Sequence, residues 1–194
     1  MKWNRLFVLC LTGALALACT ACGSAASSGS AASGSAAAGK DYSQIIHDAR
    51  TDEYNEAYFI LTPDKTGKGT YAATDGFAAD LDAEGLSTQG EMLFQMLNLK
   101  AEDVEDYAIS LSLMNTRSYA VAIVKPAAGK ADEVKKAMQD YIDGQKQNME
   151  TYLPDQYEVA KAAKLVETES GEVVLVCCED AENVLSSIEA ALKA

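Results

Sequence analysis

Between Tyr107 and Val124 the chain alternates twice with a period of two residues. Tyr107, Ile109, Leu111 and Leu113 fall on one face of an extended segment, and Ala108, Ser110, Ser112 and Met114 fall on the other. Asn115 to Ser118 reads as a turn. Tyr119, Val121 and Ile123 then alternate with Ala120, Ala122 and Val124, so the two runs predict an antiparallel hairpin closed by Pro126. From Lys130 the period becomes helical: Val134, Met138, Tyr141, Ile142, Gln145 and Met149 recur on one side as far as Met149. Gly144 weakens that helix locally by about 1 kcal/mol. Tyr152 to Tyr157 breaks the pattern, with Pro154 ending a terminal turn or fixing a loop.

A second hairpin is predicted from Lys164–Glu169 and Glu172–Cys178, joined by the tight-turn pair Ser170-Gly171. Val173 to Val176 is apolar without interruption, which points to a central strand covered on both faces. A closing helix over Ala181–Lys193 buries Ala181, Val184, Leu185, Ile188 and Leu192, with Asp180 at its cap. Upstream, Asp41 to Arg50 predicts a helix with Ile45, Ile46 and Ala49 on its apolar side. Tyr58 to Thr62 predicts a short strand stopped by Pro63, followed by a turn containing Gly67 and Gly69. Residues 71–86 have no clean period. Gln89 to Leu99 predicts a helix capped by Thr88, with Glu91 completing a capping box and Met92 and Met96 filling the core. The resulting class is α+β: an antiparallel or mixed sheet of about four to five strands with helices packed on it, and a C-terminal β-β-α-β-β-α order.

The first forty residues belong to no such pattern. Lys2 and Arg5 precede an apolar run from Leu6 to Ala21, too short to cross a bilayer, and Cys22 follows at its exit. This arrangement resembles a lipoprotein signal peptide over residues 1–21, with Cys22 lipidated and becoming the new N-terminus. Cys19 occupies the place where the motif usually has an aliphatic residue, so lipidation at Cys19 is the alternative. A plain cleaved signal and a membrane-spanning anchor are further alternatives. Residues 22–40 hold the lipidated cysteine and a Gly/Ala/Ser-rich flexible tether that buries too little to order itself. Residues 41–194 then form a single extracytoplasmic domain of about 150 residues, enough for a sizeable core. The expected location is the outer face of the cell membrane, with membrane lipid held through Cys22.

The formal net charge is −13, and removal of a leader carrying Lys2, Arg5 and no acid takes it to −15. Such a chain is repelled by nucleic acid, and no basic stripe or zinc-finger spacing offsets that. Its single histidine, His47, excludes a multi-histidine metal centre within one chain and reads as a solvated helix residue with no paired nucleophile in the sequence. Gly67-Lys68-Gly69-Thr70 lacks phosphate-loop spacing. The acidic runs Glu102–Asp106 and Glu179–Glu182 contain no EF-hand loop and read as element ends, so neither a cofactor nor a metal is expected. Cys177 and Cys178 are neighbours on one strand, point to opposite faces and read as small core hydrophobes. Tyr107, Tyr119, Tyr141, Tyr152 and Tyr157 are the candidate recognition surface, because tyrosine joins apolar area to a polar tip.

The run Tyr119–Lys125, the segment Gly129–Ala137, the motif Tyr152-Leu153-Pro154-Asp155-Gln156-Tyr157 and the stretch from Gly171 to Ala181 together resemble the DUF4358-type lipoproteins of Gram-positive, clostridia-like bacteria. The resemblance covers roughly residues 85–194. It implies a membrane-tethered extracytoplasmic domain and carries no activity onto named residues. Glu172 stands where the resemblance leads one to expect an aromatic residue. The leading expectation is a non-catalytic domain that binds or scaffolds an envelope protein, peptide or small ligand. A small envelope enzyme using carboxylates and a structural envelope component are the alternatives.

Overall fold

Six strands make one antiparallel sheet: β1 Ile60–Pro63, β2 Tyr71–Thr74, β3 Val104–Leu111, β4 Ala120–Pro126, β5 Lys164–Glu167 and β6 Val173–Cys177, in the spatial order β2-β1-β3-β4-β6-β5. This computed structural model describes residues 40–194. The leader, the tether and the expected lipidation at Cys22 or Cys19 lie outside the described residues. The helices are α1 Tyr42–Ala49, α2 Asp52–Ala57, α3 Ala83–Met96, α4 Ala131–Met149, α5 Pro154–Lys161 and α6 Ala181–Lys193.

The α+β class stands, but the expected strand count and C-terminal order do not. Six strands replace four to five, and the C-terminal half runs β-β-α-α-β-β-α rather than β-β-α-β-β-α. The added helix is α5. Pro154 occupies its first turn, where a missing N–H costs nothing, so the proline starts a helix instead of ending one. The added strand is β2, an edge strand with no fully buried residue, drawn from the stretch that shows no period. Helix α3 also begins earlier than the capping-box pattern predicts. Asp82 caps it by accepting from the Gly85 N–H at 2.9 Å, while the Thr88 hydroxyl turns back to the Glu84 carbonyl inside the helix.

Helices cover both faces of the sheet. On one face α3, α4 and α5 pack Leu93, Leu97, Val134, Met138, Ile142 and Ala160 against Leu61, Ile109, Ala122 and Leu175. On the other, α1 and α6 pack Ile46, Val184, Ile188 and Leu192 against Ile60, Val121, Ile123, Val174 and Val176. Strand β6 lies between β4 and β5 and is buried along its whole length, as its uninterrupted apolar run requires. The two-residue alternation of β3 and β4 sorts their side chains between these two cores.

Register fixes the two ends of the sheet. Leu111 pairs with Ala120 and Ala120 with Cys177 at the end that carries the β3–β4 turn. Val124 pairs with Val173 at the opposite end, where the β5–β6 turn lies. Lys40 sits at that second end, its ammonium donating to the Leu192 carbonyl. Tyr42 on α1 also reaches this end and donates to Glu172 at 3.1 Å.

Candidate functional site

At the β3–β4 end the sheet stops and a polar turn begins. Ser112 leaves β3 buried, and its hydroxyl accepts from the Met114 N–H at 3.2 Å. The Arg117 N–H donates to the Met114 carbonyl at 3.3 Å and closes a four-residue turn. Met114 is thereby held out from the domain with 58% of its surface exposed. Two cavities flank it and share Ser112, Leu113 and Met114. The larger, of about 430 Å³, lies between this turn, the end of α3 at Met96 and the end of α4, where Gln145, Asn148 and Met149 face it. The smaller, of about 170 Å³, runs toward Tyr58, Phe59 and Phe77, and Phe77 is 54% exposed.

The two cavities meet at the Ser112–Met114 turn and make a groove that is largely apolar on the Phe77 side and polar on the α4 side, where Asn115, Gln145 and Asn148 line it. Four large apolar residues are exposed among the described residues, and Phe77 and Met114 line this groove. A third, Tyr152, follows α4 just beyond Met149 at the same end of the domain, where the Leu153 N–H bonds the Met149 carbonyl. Isolated exposed apolar residues are ordinary, but Phe77 and Met114 exposed together at adjoining cavities make this the candidate binding surface.

The five tyrosines chosen from the sequence do not form one surface. Tyr107 and Tyr141 are buried in the α3–α4 core. Tyr119 is buried on the opposite face, stacked on Tyr58 at a centroid distance of 3.9 Å. Tyr152 is 84% exposed, and Tyr157 is half-buried beneath Lys161. Only Tyr152 is placed near the groove. The residues that make the groove were missed or read otherwise: Met96 as core filler, Phe77 within the stretch of no period, and Met114 as the inner-to-outer alternation at a strand end. Three methionines, from the end of α3, the β3–β4 turn and the end of α4, converge with Phe77 on one turn and give no local signal in sequence.

A second cluster surrounds Arg50, whose side chain is fully buried. Its five N–H groups find five acceptors: Asn55 Oδ1, Ser110 Oγ, Tyr119 Oη, the Tyr58 carbonyl and Asp75 Oδ2. The same Asp75 oxygen lies 2.8 Å from His47 Nδ1. His47 is therefore not simply solvated. It is 43% exposed and fixed by a carboxylate at the edge of a shallow cavity of about 210 Å³ with Ser43 and Thr74. The Ser43 hydroxyl donates to Asp41 at 2.7 Å, and no hydroxyl or thiol among the described residues is hydrogen-bonded to His47. This cluster ties α1, α2 and the β2 end to β3 and β4, and its chemistry is that of a satisfied buried cation.

Cys177 and Cys178 are free and buried, one in each core. Burial pushes the Cys177 thiol up to about 12, with the neighbouring Cys178 adding to it. Burial likewise pushes Cys178 up to about 11. At those values both thiols are protonated at neutral pH, as buried core cysteines are. At the opposite end of the sheet a cavity of about 240 Å³ is walled by Glu167, Glu169 and Glu189. The nearby Glu172 carboxylate is buried and already occupied by Tyr42, Thr168 and Ser170. Among the described residues no group of three or more His, Cys, Asp or Glu could hold a metal ion, and no helix is long and apolar enough to cross a membrane.

The model of a domain of unknown function, DUF4358, matches residues 78–178, about half of the chain. The chain belongs to the DUF4358 family. No curated protein and no solved structure matches it. The DUF4358 segment runs from α3 through β6 and contains Met96, Ser112, Leu113, Met114, Asn115, Gln145, Asn148 and Met149, so it supplies every residue that lines the larger cavity. Arg50, His47 and Asp75 lie outside it. The family description assigns no activity.

Proposed function

We propose that this DUF4358 protein is a binding domain held on the outer face of the cell membrane by a lipid on Cys22, and that the groove around Met114 is its binding site. The charged start, apolar run and small-residue exit of the leader support the anchor, and the Gly/Ala/Ser-rich stretch that follows supports a flexible tether. The observation that carries the binding role is the exposure of Phe77 and Met114 at two cavities that share the Ser112–Met114 turn. Lys40, where the tether ends, is at the opposite end of the sheet, so the groove opens away from the point of attachment.

The test places a photo-crosslinking residue at Met114, or at Lys68 as a distant control, in the full chain on intact cells. Labelled fatty acid reports the anchor in the same cells. A discrete adduct at position 114 and none at 68, with fatty-acid label lost in Cys22→Ala, is the expected outcome. Equal adducts at both positions overturn the binding site. Label retained in Cys22→Ala overturns the anchor at that residue.

A further inference from the structure

The smaller cavity takes half of its wall from a part of the chain that the Arg50 cluster holds in place. Ala57, Tyr58, Phe59 and Phe77 line it from one side, and Leu111 to Met114 line it from the other. The second set lies within the DUF4358 segment, and the first lies ahead of it. No carboxylate, ammonium, guanidinium or imidazole lines this cavity, so the group that enters it is uncharged and apolar. What it admits depends on where the Tyr58–Phe59 backbone and the Phe77 ring stand.

Arg50 holds Tyr58 in two ways. Its Nη2 donates to the Tyr58 carbonyl at 2.7 Å, and its Nη1 donates to the Tyr119 hydroxyl at 2.8 Å. The Tyr119 ring in turn stacks on the Tyr58 ring at a centroid distance of 3.9 Å. Asp75 is the only carboxylate paired with Arg50 among the described residues, at 3.0 Å, and the guanidinium is wholly buried. A buried guanidinium keeps its place through its counterion, so the hold on Tyr58 depends on Asp75.

The same residue sets Phe77. Asp75 takes φ 63, a left-handed conformation that a short polar side chain tolerates. Gly76 follows at φ 50 and ψ −161, a region open essentially to glycine alone. The Gly76 N–H donates to the Asn55 carbonyl at 3.1 Å, and its backbone lies so close to Phe59 that a Cβ would come within 2.8 Å of the Phe59 nitrogen. Past these two residues the Phe77 ring meets Phe59 edge-on, with centroids 5.4 Å apart and planes at 79°. A strained turn persists only where its surroundings over-determine it, and the Asp75 bonds to Arg50 and His47 do so here.

We infer that Asp75 is a positioning residue of the groove: through Arg50 and the turn at Gly76 it sets the aromatic wall of Tyr58, Phe59 and Phe77, and with it the shape of the apolar group that the smaller cavity accepts. This rests on the reading of the groove as the binding site and adds the residue that tunes it.

The experiment incorporates 4-fluorophenylalanine into the full chain in detergent micelles and follows the fluorine resonances of Phe59, Phe77 and Phe94, assigned by single Phe→Leu exchanges. Phe94 packs against Tyr71 and Tyr107, away from this wall, and is the internal reference. Asp75→Asn tolerates the left-handed backbone and removes the counterion. It should displace the Phe77 and Phe59 resonances beyond their linewidths and leave Phe94 in place. Asn55→Ala, which takes one acceptor from Arg50 and spares the carboxylate, makes the same test if Asp75→Asn fails to fold. Glu172→Gln loosens α1 at the opposite end of the sheet, where Tyr42 donates to Glu172, and should move none of the three. A Phe77 resonance unmoved by Asp75→Asn overturns the positioning. So does a displacement that Glu172→Gln reproduces, because it traces the effect to α1 as a whole. Photo-crosslinking at Met114 in cells, per molecule of protein, carries the test to binding: Asp75→Asn should lower the adduct yield severalfold, and an unchanged yield beside a displaced Phe77 overturns the role in binding. No adduct with the unaltered chain overturns the groove as the binding site, and the fluorine spectra then decide the wall by themselves.

Discussion

Asp75 places one carboxylate oxygen 3.0 Å from Arg50 Nη2, and through that oxygen the N-terminal helix is fastened to a buried cation beneath the sheet's end. The remaining Arg50 donors are taken by Asn55, Tyr58, Ser110 and Tyr119, so the guanidinium is buried without an unpaired N–H. Removing it strands a carboxylate, a buried serine and a buried tyrosine hydroxyl together. Arg50→Ala should lower stability by at least about 3 kcal/mol, and Arg50→Lys should not restore it, because an ammonium has three donors for five acceptors. His47→Ala, at the exposed side of Asp75, should cost less than about 1 kcal/mol. Urea unfolding of the three variants measures this, and an Arg50→Ala loss below that of His47→Ala refutes the assignment.

Glu172 gives the domain a pH dependence of known sign. Burial alone would raise its carboxyl, but hydrogen bonds from Ser170, Thr168, its own N–H and Tyr42 outweigh burial and hold it below its ordinary value of 4.5. A carboxyl with a depressed folded value stabilises the fold fully above the unfolded value and loses that contribution as pH falls through the folded one. The unaltered domain should therefore be more stable than Glu172→Gln at pH 7, with the gap closing as the pH drops below 4.5. Unfolding midpoints for the pair across that range measure it. A gap that is constant with pH sinks the assignment.

Gly76 and Gly129 both have positive φ but differ in what surrounds them. At Gly76 the backbone sits at φ 50 and ψ −161, a region open essentially to glycine alone, and a Cβ would lie 2.8 Å from the Phe59 nitrogen. At Gly129, φ is 77 and a Cβ would meet nothing within 4 Å. Gly129→Ala should cost about 1–2 kcal/mol from backbone strain alone, and Gly76→Ala about 3 kcal/mol or more, because strain and backbone collision add. Thermal unfolding of the two variants ranks them, and the reverse order would show that the Phe59 contact gives way.

The sequence was most legible where burial is one-sided or complete. Alternation gave β3 and β4, and the apolar run of β6 gave a strand covered on both faces, because each pattern follows directly from which side chains meet a core. Elements with little to bury left little trace. Helix α2 has no buried residue, and β2 has none either, so neither could impose a period. Pro154 suggests the end of a terminal turn or a fixed loop because proline breaks helix interiors, yet it is equally at home in a first turn, and only the following Val159 and Ala160 packing decides for the helix. The groove was invisible for another reason. Phe77, Met96, Met114 and Met149 come from four separate places in the chain, and their convergence is set by where α3, the β3–β4 turn and α4 end in the fold rather than by any local spacing. Arg50 and Asp75 likewise lie 25 residues apart with only the fold to join them.

Cys177 and Cys178 should remain unmodified thiols in the folded domain even under oxidising conditions. Cys177 ends β6 and Cys178 follows it, and the two project into opposite cores at 0% and 2% exposure, so a bond between them would require the backbone at the end of β6 to distort and leave its pairing with β4. Their elevated thiol values, about 12 and 11 with burial as the main cause, leave almost no thiolate at neutral pH. Alkylation must therefore wait for the core to open. Iodoacetamide labelling, followed residue by residue by mass spectrometry, should be slower at both positions than at an exposed Met114→Cys reference by on the order of a thousandfold. Urea should abolish the difference. Rapid native labelling of Cys178 would mean that α6 lifts from the sheet without global unfolding. Rapid labelling of Cys177 would place the same opening on the α4 side.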